Sequence, residues 1–204
     1  STAGSANYVH YGSGFIGVWN NAVDAGAVTP AALATGLEMM PTEANDNDHA
    51  EIFAGILGAS GKAYLIGVDP AFYVCAWMQL ATLADTDLMN VGFRTATDLT
   101  VTPGSYTDYA SIGLGSATGD VYVADITTGG TDTTDGLVAA TTGKFCTYVS
   151  GTGVVTYTFD GVAPTVTDAH TLTDDTFVIP FISLRSNSAT PTGNKIMRWK
   201  AGYQ

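Results

Sequence analysis

The sequence predicts an all-β protein: an antiparallel β-sandwich carrying an extended arm at its N-terminal end. Three observations support this. The 204 residues are 46% hydrophobic but only 13% charged, and Gly, Thr, Val and Ala crowd the chain, which suits short strands joined by tight turns better than amphipathic helices. Short apolar runs are punctuated by turn residues at intervals suited to a sandwich. Side chains alternate most clearly at Val154 to Phe159, where Val155, Tyr157 and Phe159 form an apolar face and Val154, Thr156 and Thr158 a Thr-rich one. A chain of this length can close one core, so residues 1–50 are assigned to the arm and residues 51–204 to the sandwich.

Within the arm, the apolar segment Phe15 to Trp19 is interrupted by Asn20, Asn21 and Gly26. A short helix is then expected from Pro30 to Met40, with Thr29 as N-cap and Pro41 as the stop, although Gly36 weakens it. The polar run Thr42 to Asp48 separates the arm from the body.

In the body, strands are expected at Ile52 to Leu57, Lys62 to Val68, Ala71 to Leu80, Leu88 to Thr95, Tyr109 to Leu114, Val121 to Thr127, Lys144 to Ser150, Val154 to Asp160, Phe177 to Leu184 and Lys195 to Ala201. Gly151-Thr152-Gly153 makes a hairpin of the seventh and eighth. Ala71 to Leu80 is apolar on both sides, which predicts a central strand covered twice. Pro180 lacks an N–H, which predicts an edge position or a bulge for its strand. Thr127 to Thr142, rich in Thr, Gly and Asp, reads as a surface loop or weak edge strand. In the last strand Met197 and Trp199 share one face and Arg198 and Lys200 the other, a solvated basic side.

Seven Lys and Arg against nineteen Asp and Glu leave a net charge of -12, which opposes contact with phosphate backbones and anionic membranes, so no nucleic-acid or membrane partner is expected. No apolar run approaches the roughly 20 residues that span a bilayer. Cys75 and Cys146 both lie in strand-like apolar stretches. Two buried free thiols are preferred there over a single bridge, in keeping with assembly in a reducing cytoplasm.

Motifs for chemistry are sparse. Gly12-Ser13-Gly14 lacks the outer glycines of a nucleophile elbow, and His10, His49 and His170 are scattered singly. The glutamates Glu38, Glu43 and Glu51 all fall in the arm or its exit, so no carboxylate pair is expected on facing strands. Asp46 and Asp48, with Glu43, Asn45, Asn47 and Glu51 nearby, could supply oxygens to calcium, but match no EF-hand loop and read as a solvated linker. Arg94 is expected to pair with Asp98 or Asp108. Tyr73, Trp77 and Tyr157 read as core or interface before sugar-stacking groups. The expectation is a protein without catalytic, metal or cofactor residues, hence not an enzyme.

Several segments nevertheless have a familiar look. Asp69-Pro70-Ala71-Phe72-Tyr73, Val91-Gly92-Phe93-Arg94, Tyr106 to Gly113, Gly153 to Gly161, Val178-Ile179-Pro180-Phe181 and the terminal Trp199-Lys200-Ala201-Gly202 resemble virion structural proteins of tailed bacteriophages. The resemblance covers residues 50–204. It implies a concanavalin- or laminin-G-like jelly roll and a particle-structural role. The expectation drawn from it is a capsid decoration or cement protein, made in the host cytoplasm and bound to the outer capsid surface of the virion. Its partners would be the major capsid protein and sister subunits, and a homo-oligomer such as a trimer at a symmetry axis would fit. The interface is expected at Phe15, Trp19, Leu37, Met39 and Met40, because an apolar arm ahead of a self-sufficient body gains stability by docking. The alternative is a carbohydrate-binding, lectin-like module, free or on a tail fibre, since sandwiches of this type often host sugar sites.

Overall fold

A computed structural model describes residues 17–21, 28–33, 36–41, 48–53, 63–79, 88–95, 106–114, 119–125, 130–138, 141–186 and 194–204. Among the described residues the regular elements are all strands: β1 (Gly17–Asn21), β2 (Val28–Leu33), β3 (Gly36–Pro41), β4 (Asp48–Phe53), β5 (Tyr64–Leu65), β6 (Phe72–Gln79), β7 (Leu88–Thr95), β8 (Tyr109–Leu114), β9 (Asp120–Asp125), β10 (Thr131–Gly136), β11 (Thr142–Val149), β12 (Val154–Phe159), β13 (His170–Thr171), β14 (Phe177–Ser186) and β15 (Asn194–Tyr203). They form two antiparallel sheets. Sheet I runs β1-β4-β14-β7-β8-β9-β10, with β5 also paired to β14, and sheet II runs β13-β12-β11-β6-β15-β3-β2. The expected jelly-roll sandwich is present.

Period-two alternation turns one side of each sheet toward a shared interior. Phe72, Val74, Ala76 and Met78 of β6, Phe145 and Val149 of β11, and Val155 and Tyr157 of β12 meet Met89, Val91 and Phe93 of β7, Ala110, Ile112 and Leu114 of β8, and Val178 and Ile182 of β14. Tyr64 stacks on Phe72 at 4.3 Å between ring centroids and meets Phe93 edge-on. The Thr147 hydroxyl donates across this interior to the Val91 carbonyl at 2.9 Å, joining the two sheets by a hydrogen bond. The expected β11–β12 hairpin forms with Val149 opposite Val155. Its Gly153 has φ 83°, where a Cβ would strike the Leu172 carbonyl. The Thr-rich segment supplies the edge strand β10.

Four local expectations are corrected. Residues expected to form a helix are instead β2 and β3, paired from Val28 opposite Pro41 to Leu33 opposite Gly36. Pro30, read as a helix start, is accommodated because β2 is an edge strand. Strand β14, by contrast, is interior. Pro180 sits opposite Phe93 of β7, while on the other side the ladder to β5 ends at Val178 and the ladder to β4 begins at Phe181. The residue without an N–H thus falls in the gap between two partner strands. Strand β6 is central as expected, but only one of its faces is covered, since Tyr73, Trp77 and Gln79 are half-buried.

Arg94, finally, pairs with Glu51 rather than with Asp98 or Asp108. Both are buried, and Nε donates to the Glu51 carboxylate at 2.6 Å across β14. Nη1 donates to the Thr95 carbonyl at 2.9 Å, and the guanidinium lies 4.8 Å from the Tyr106 ring centroid. Burial pushes the Glu51 carboxyl upward, and the Arg94 charge and hydrogen bond oppose that shift. Asp108 instead accepts from the backbone N–H and hydroxyl of Thr173, and Asp98 lies outside the described residues. Tyr106, Tyr109, Ile179 and Phe181 form a second apolar cluster with this pair on the outer side of sheet I.

Two predictions follow from this packing. Glu51→Ala strands a buried guanidinium and should lower stability by about 3 to 5 kcal/mol in urea unfolding, while the double variant Glu51→Met/Arg94→Met recovers most of that loss. A loss under about 1 kcal/mol for the single variant would contradict it. The Tyr64 hydroxyl is buried without a hydrogen-bond partner among the described residues, and burial first, then Tyr203, Tyr73 and Asp69, push its ionisation from 10.0 up to about 12. A folded value above the unfolded one means that stability is at its full value below pH 10.0 and falls as pH climbs through about 12, because the folded chain resists an ionisation that the unfolded chain allows. Tyr64→Phe should therefore leave neutral-pH stability unchanged or slightly higher and flatten the alkaline decline, as read by thermal unfolding across that window.

Candidate functional site

The outer sides of the two sheets differ. That of sheet I carries the buried Tyr106–Phe181 cluster and the Arg94–Glu51 pair. That of sheet II displays side chains from three adjacent strands, β11, β6 and β15. Residues directly opposite one another in an antiparallel ladder point to the same side, so the register generates three rows.

Trp77 stands between Lys144 and Arg198 in the first row, Cys75 between Cys146 and Lys200 in the second, and Tyr73 between Tyr148 and Gly202 in the third. A bulge between Ile196 and Arg198 brings Arg198, and with it Lys200, onto the outer side. Without that extra residue, Arg198 would follow Ile196 into the core-facing phase and the basic pair would be displaced.

Within this array the cations are ordered by aromatic rings. Lys144 Nζ lies 5.3 Å from the Trp77 ring centroid and Arg198 Cζ 5.1 Å from it, while Lys200 Nζ lies 5.1 Å from the Tyr73 centroid. Tyr73 and Tyr148 are 6.1 Å apart, centroid to centroid. A cation held against an aromatic face loses less rotamer freedom on meeting an anion, because part of that ordering is already present in the free protein. Arg198 and Lys200 are exposed and Lys144 is half-buried. Four of the seven Lys and Arg residues of a chain with net charge -12, namely Lys144, Lys195, Arg198 and Lys200, thus share one face, a local field opposite in sign to that of the whole molecule. Lys195, farther along β15, lies in register with Gln79 of β6 and Glu38 of β3.

Cys75 and Cys146 lie at the centre of this array, joined by a disulfide with Cα atoms 4.1 Å apart. The expectation of two free thiols is corrected. Each cysteine sits in an apolar run, but both occupy the outward phase of strands that happen to be neighbours, which places them face to face. The bridge also removes the reason for assigning the chain to a reducing compartment.

The expected interface residues are distributed differently. Trp19 is in β1 of sheet I, Leu37, Met39 and Met40 are in β3 of sheet II, and Phe15 lies outside the described residues. Of the calcium candidates, Asp46 lies outside the described residues, Asp48 begins β4, and Glu51 is committed to Arg94. Among the described residues no three His, Cys, Asp or Glu side chains converge on a metal-sized site. Tyr157 is core, as expected, whereas Tyr73 and Trp77 belong to the outer array. Sequence reading located the basic side of β15 but missed its union with Lys144, Trp77 and Tyr73. The available signal was a cation or an aromatic at alternate positions in three separate strands.

No protein-family model matches this sequence, and no curated protein matches it. Solved structures do share its fold. An alginate lyase from Corynebacterium sp. superposes with TM-score 0.59 at 13% identity, over 90% of this chain and 83% of that one. An alginate lyase from Pseudomonas aeruginosa gives 0.59 at 11% identity over 86% of both chains. The potassium-bound carbohydrate recognition domain of Emp46p gives 0.57 at 9% identity, again over 86% of both. The expectation that this chain is not an enzyme is overturned by the two lyases. It rested on missing hydrolase signatures, namely a nucleophile elbow or facing carboxylates, and the same sandwich carries enzymes that are lyases.

Proposed function

We propose that the outer face of sheet II binds an acidic polysaccharide. The observation that carries this reading is the cation array itself: Lys144 and Arg198 against Trp77, and Lys200 against Tyr73, on adjacent strands of an otherwise anionic protein. Guanidinium and ammonium groups are the natural partners of carboxylate and sulfate groups. Aromatic edges beside them supply apolar contact for sugar rings. The protein's overall negative charge repels nonspecific polyanions and makes a basic face a point of attraction. Neighbours that are alginate lyases and a carbohydrate recognition domain support a glycan over other anionic ligands.

A second reading is cleavage of the bound chain by elimination. It is favoured by the phenols of Tyr73 and Tyr148 standing side by side, with Lys200 against Tyr73. In such an elimination a base takes the proton beside a uronate carboxylate, a C=C bond forms, the glycosidic C–O bond breaks and the leaving oxygen takes up a proton. A phenolate is a base, a second phenol a proton donor to that oxygen, and an ammonium a positive charge for the carboxylate. The capsid-decoration proposal, with major capsid protein and sister subunits as partners, has the sequence motifs as its support.

Titration calorimetry with alginate, polygalacturonate and neutral dextran tests the main reading. Acidic chains should bind and dextran should not, with affinity falling as salt rises. Lys144→Gln and Arg198→Gln should each weaken binding about tenfold, the loss of one charge-assisted contact. Equal affinity for dextran, or no binding of either acidic chain, would defeat the proposal. Ultraviolet absorbance from an unsaturated product, lost in Tyr73→Phe or Tyr148→Phe, would mark the second reading.

A further inference from the structure

We infer that the Cys75–Cys146 disulfide controls the affinity of this basic face, and that a ligand seated there protects the disulfide from reduction. The inference rests on the acidic-polysaccharide reading and adds a regulatory element to the same site. Its basis is position. The bridge occupies the middle of three rows, with Tyr73 and Tyr148 on one side of it and Trp77 and Lys144 on the other. It covalently ties β6 to β11, the two strands that carry those four side chains. Lys200 is the register partner of Cys75 on the third strand. Every group offered to the ligand is therefore a near neighbour of the cross-link.

Accessibility supplies the reverse coupling. Both cysteines point to the outer side of the sheet, yet Cys75 is 1% exposed and Cys146 0%. The half-buried and exposed residues around them are the ones assigned to the ligand. A reductant reaches the sulfurs by displacing those side chains, and a polysaccharide lying across them closes that route. In the reduction, a dithiol donates two electrons, the S–S bond breaks, and each sulfur takes up one proton. The dithiol closes to its own disulfide. Freed of the cross-link, β6 and β11 stay joined by their ladder and by core packing, and the rows above them lose part of the ordering that favours binding. Thermodynamic reciprocity then requires that whatever affinity reduction removes, ligand returns as stability of the oxidised form.

The test uses the full chain with alginate oligosaccharides as the probe. Oxidised protein should bind about tenfold more tightly than protein reduced with dithiothreitol, a coupling at the lower end of the usual range for linked sites. Circular dichroism would show that the reduced protein is folded. The double variants Cys75→Ser/Cys146→Ser and Cys75→Val/Cys146→Val should both show the weaker affinity with and without dithiol. The second keeps β-branched bulk in the strands if the first folds poorly. In the unaltered protein, saturating alginate should lower the disulfide's midpoint potential by about 30 mV, the equivalent of tenfold for two electrons. Equal binding by the oxidised and reduced folded states, or a potential unmoved by ligand, would overturn this inference and leave the binding reading standing. Failure of the oxidised protein to bind alginate and polygalacturonate would overturn both.

Discussion

Antiparallel pairing of β6 with β11 on one side and β15 on the other determines which side chains of this protein meet. Because strand side chains alternate with a period of two, one registration of three strands sends Phe72, Val74, Ala76 and Met78 into the interior and Tyr73, Cys75 and Trp77 to the opposite side. The same constraint brings Cys146 beneath Cys75, Lys144 beside Trp77, and Lys200 beside Tyr73. A shift of one residue in either ladder would bury the cations and expose the core, so packing of the interior enforces the arrangement of the exterior.

The charges illustrate two different solutions to one electrostatic problem. Arg94 is taken out of water, and Glu51, the Thr95 carbonyl and the Tyr106 ring around it offset that cost. Lys144, Arg198 and Lys200 keep access to solvent and rest against aromatic rings that orient them without neutralising them. The first arrangement takes its cation out of contact with water, and the second keeps its cations at the surface of sheet II. Tyr109 follows the same division: it lies buried beside the ion pair, accepts a bond from the Ser111 hydroxyl, and has its ionisation pushed far upward by burial.

Parts of this organisation are legible in the chain itself. The Val154–Phe159 alternation and the Gly151-Thr152-Gly153 turn define a hairpin from neighbouring residues alone, and Leu88–Thr95 and Tyr109–Leu114 have the strand boundaries expected from their patterns. The segment from 28 to 41 did not yield to the same reasoning. Local cues there, Thr29-Pro30 ahead of Pro41, suit a helix, but ladder partners supplied by β15 make it a pair of strands. Pro180 is a similar case. Its missing donor argues for an edge, and only the gap between β5 and β4 explains how an interior strand tolerates it.

The sequence by itself determined the fold class, the apolar and polar phases of most body strands, and the anionic character of the whole, because each depends on composition or on residues a few positions apart. Tertiary structure alone decided that Glu51 would neutralise Arg94, that two cysteines 71 residues apart would bond, and that a cation from β11 and two from β15 would flank aromatics on β6. Alternation specifies which way a side chain points but carries no information about the neighbouring strand. That partner is selected by the collective packing of two sheets, and with it the chemistry of the exposed face.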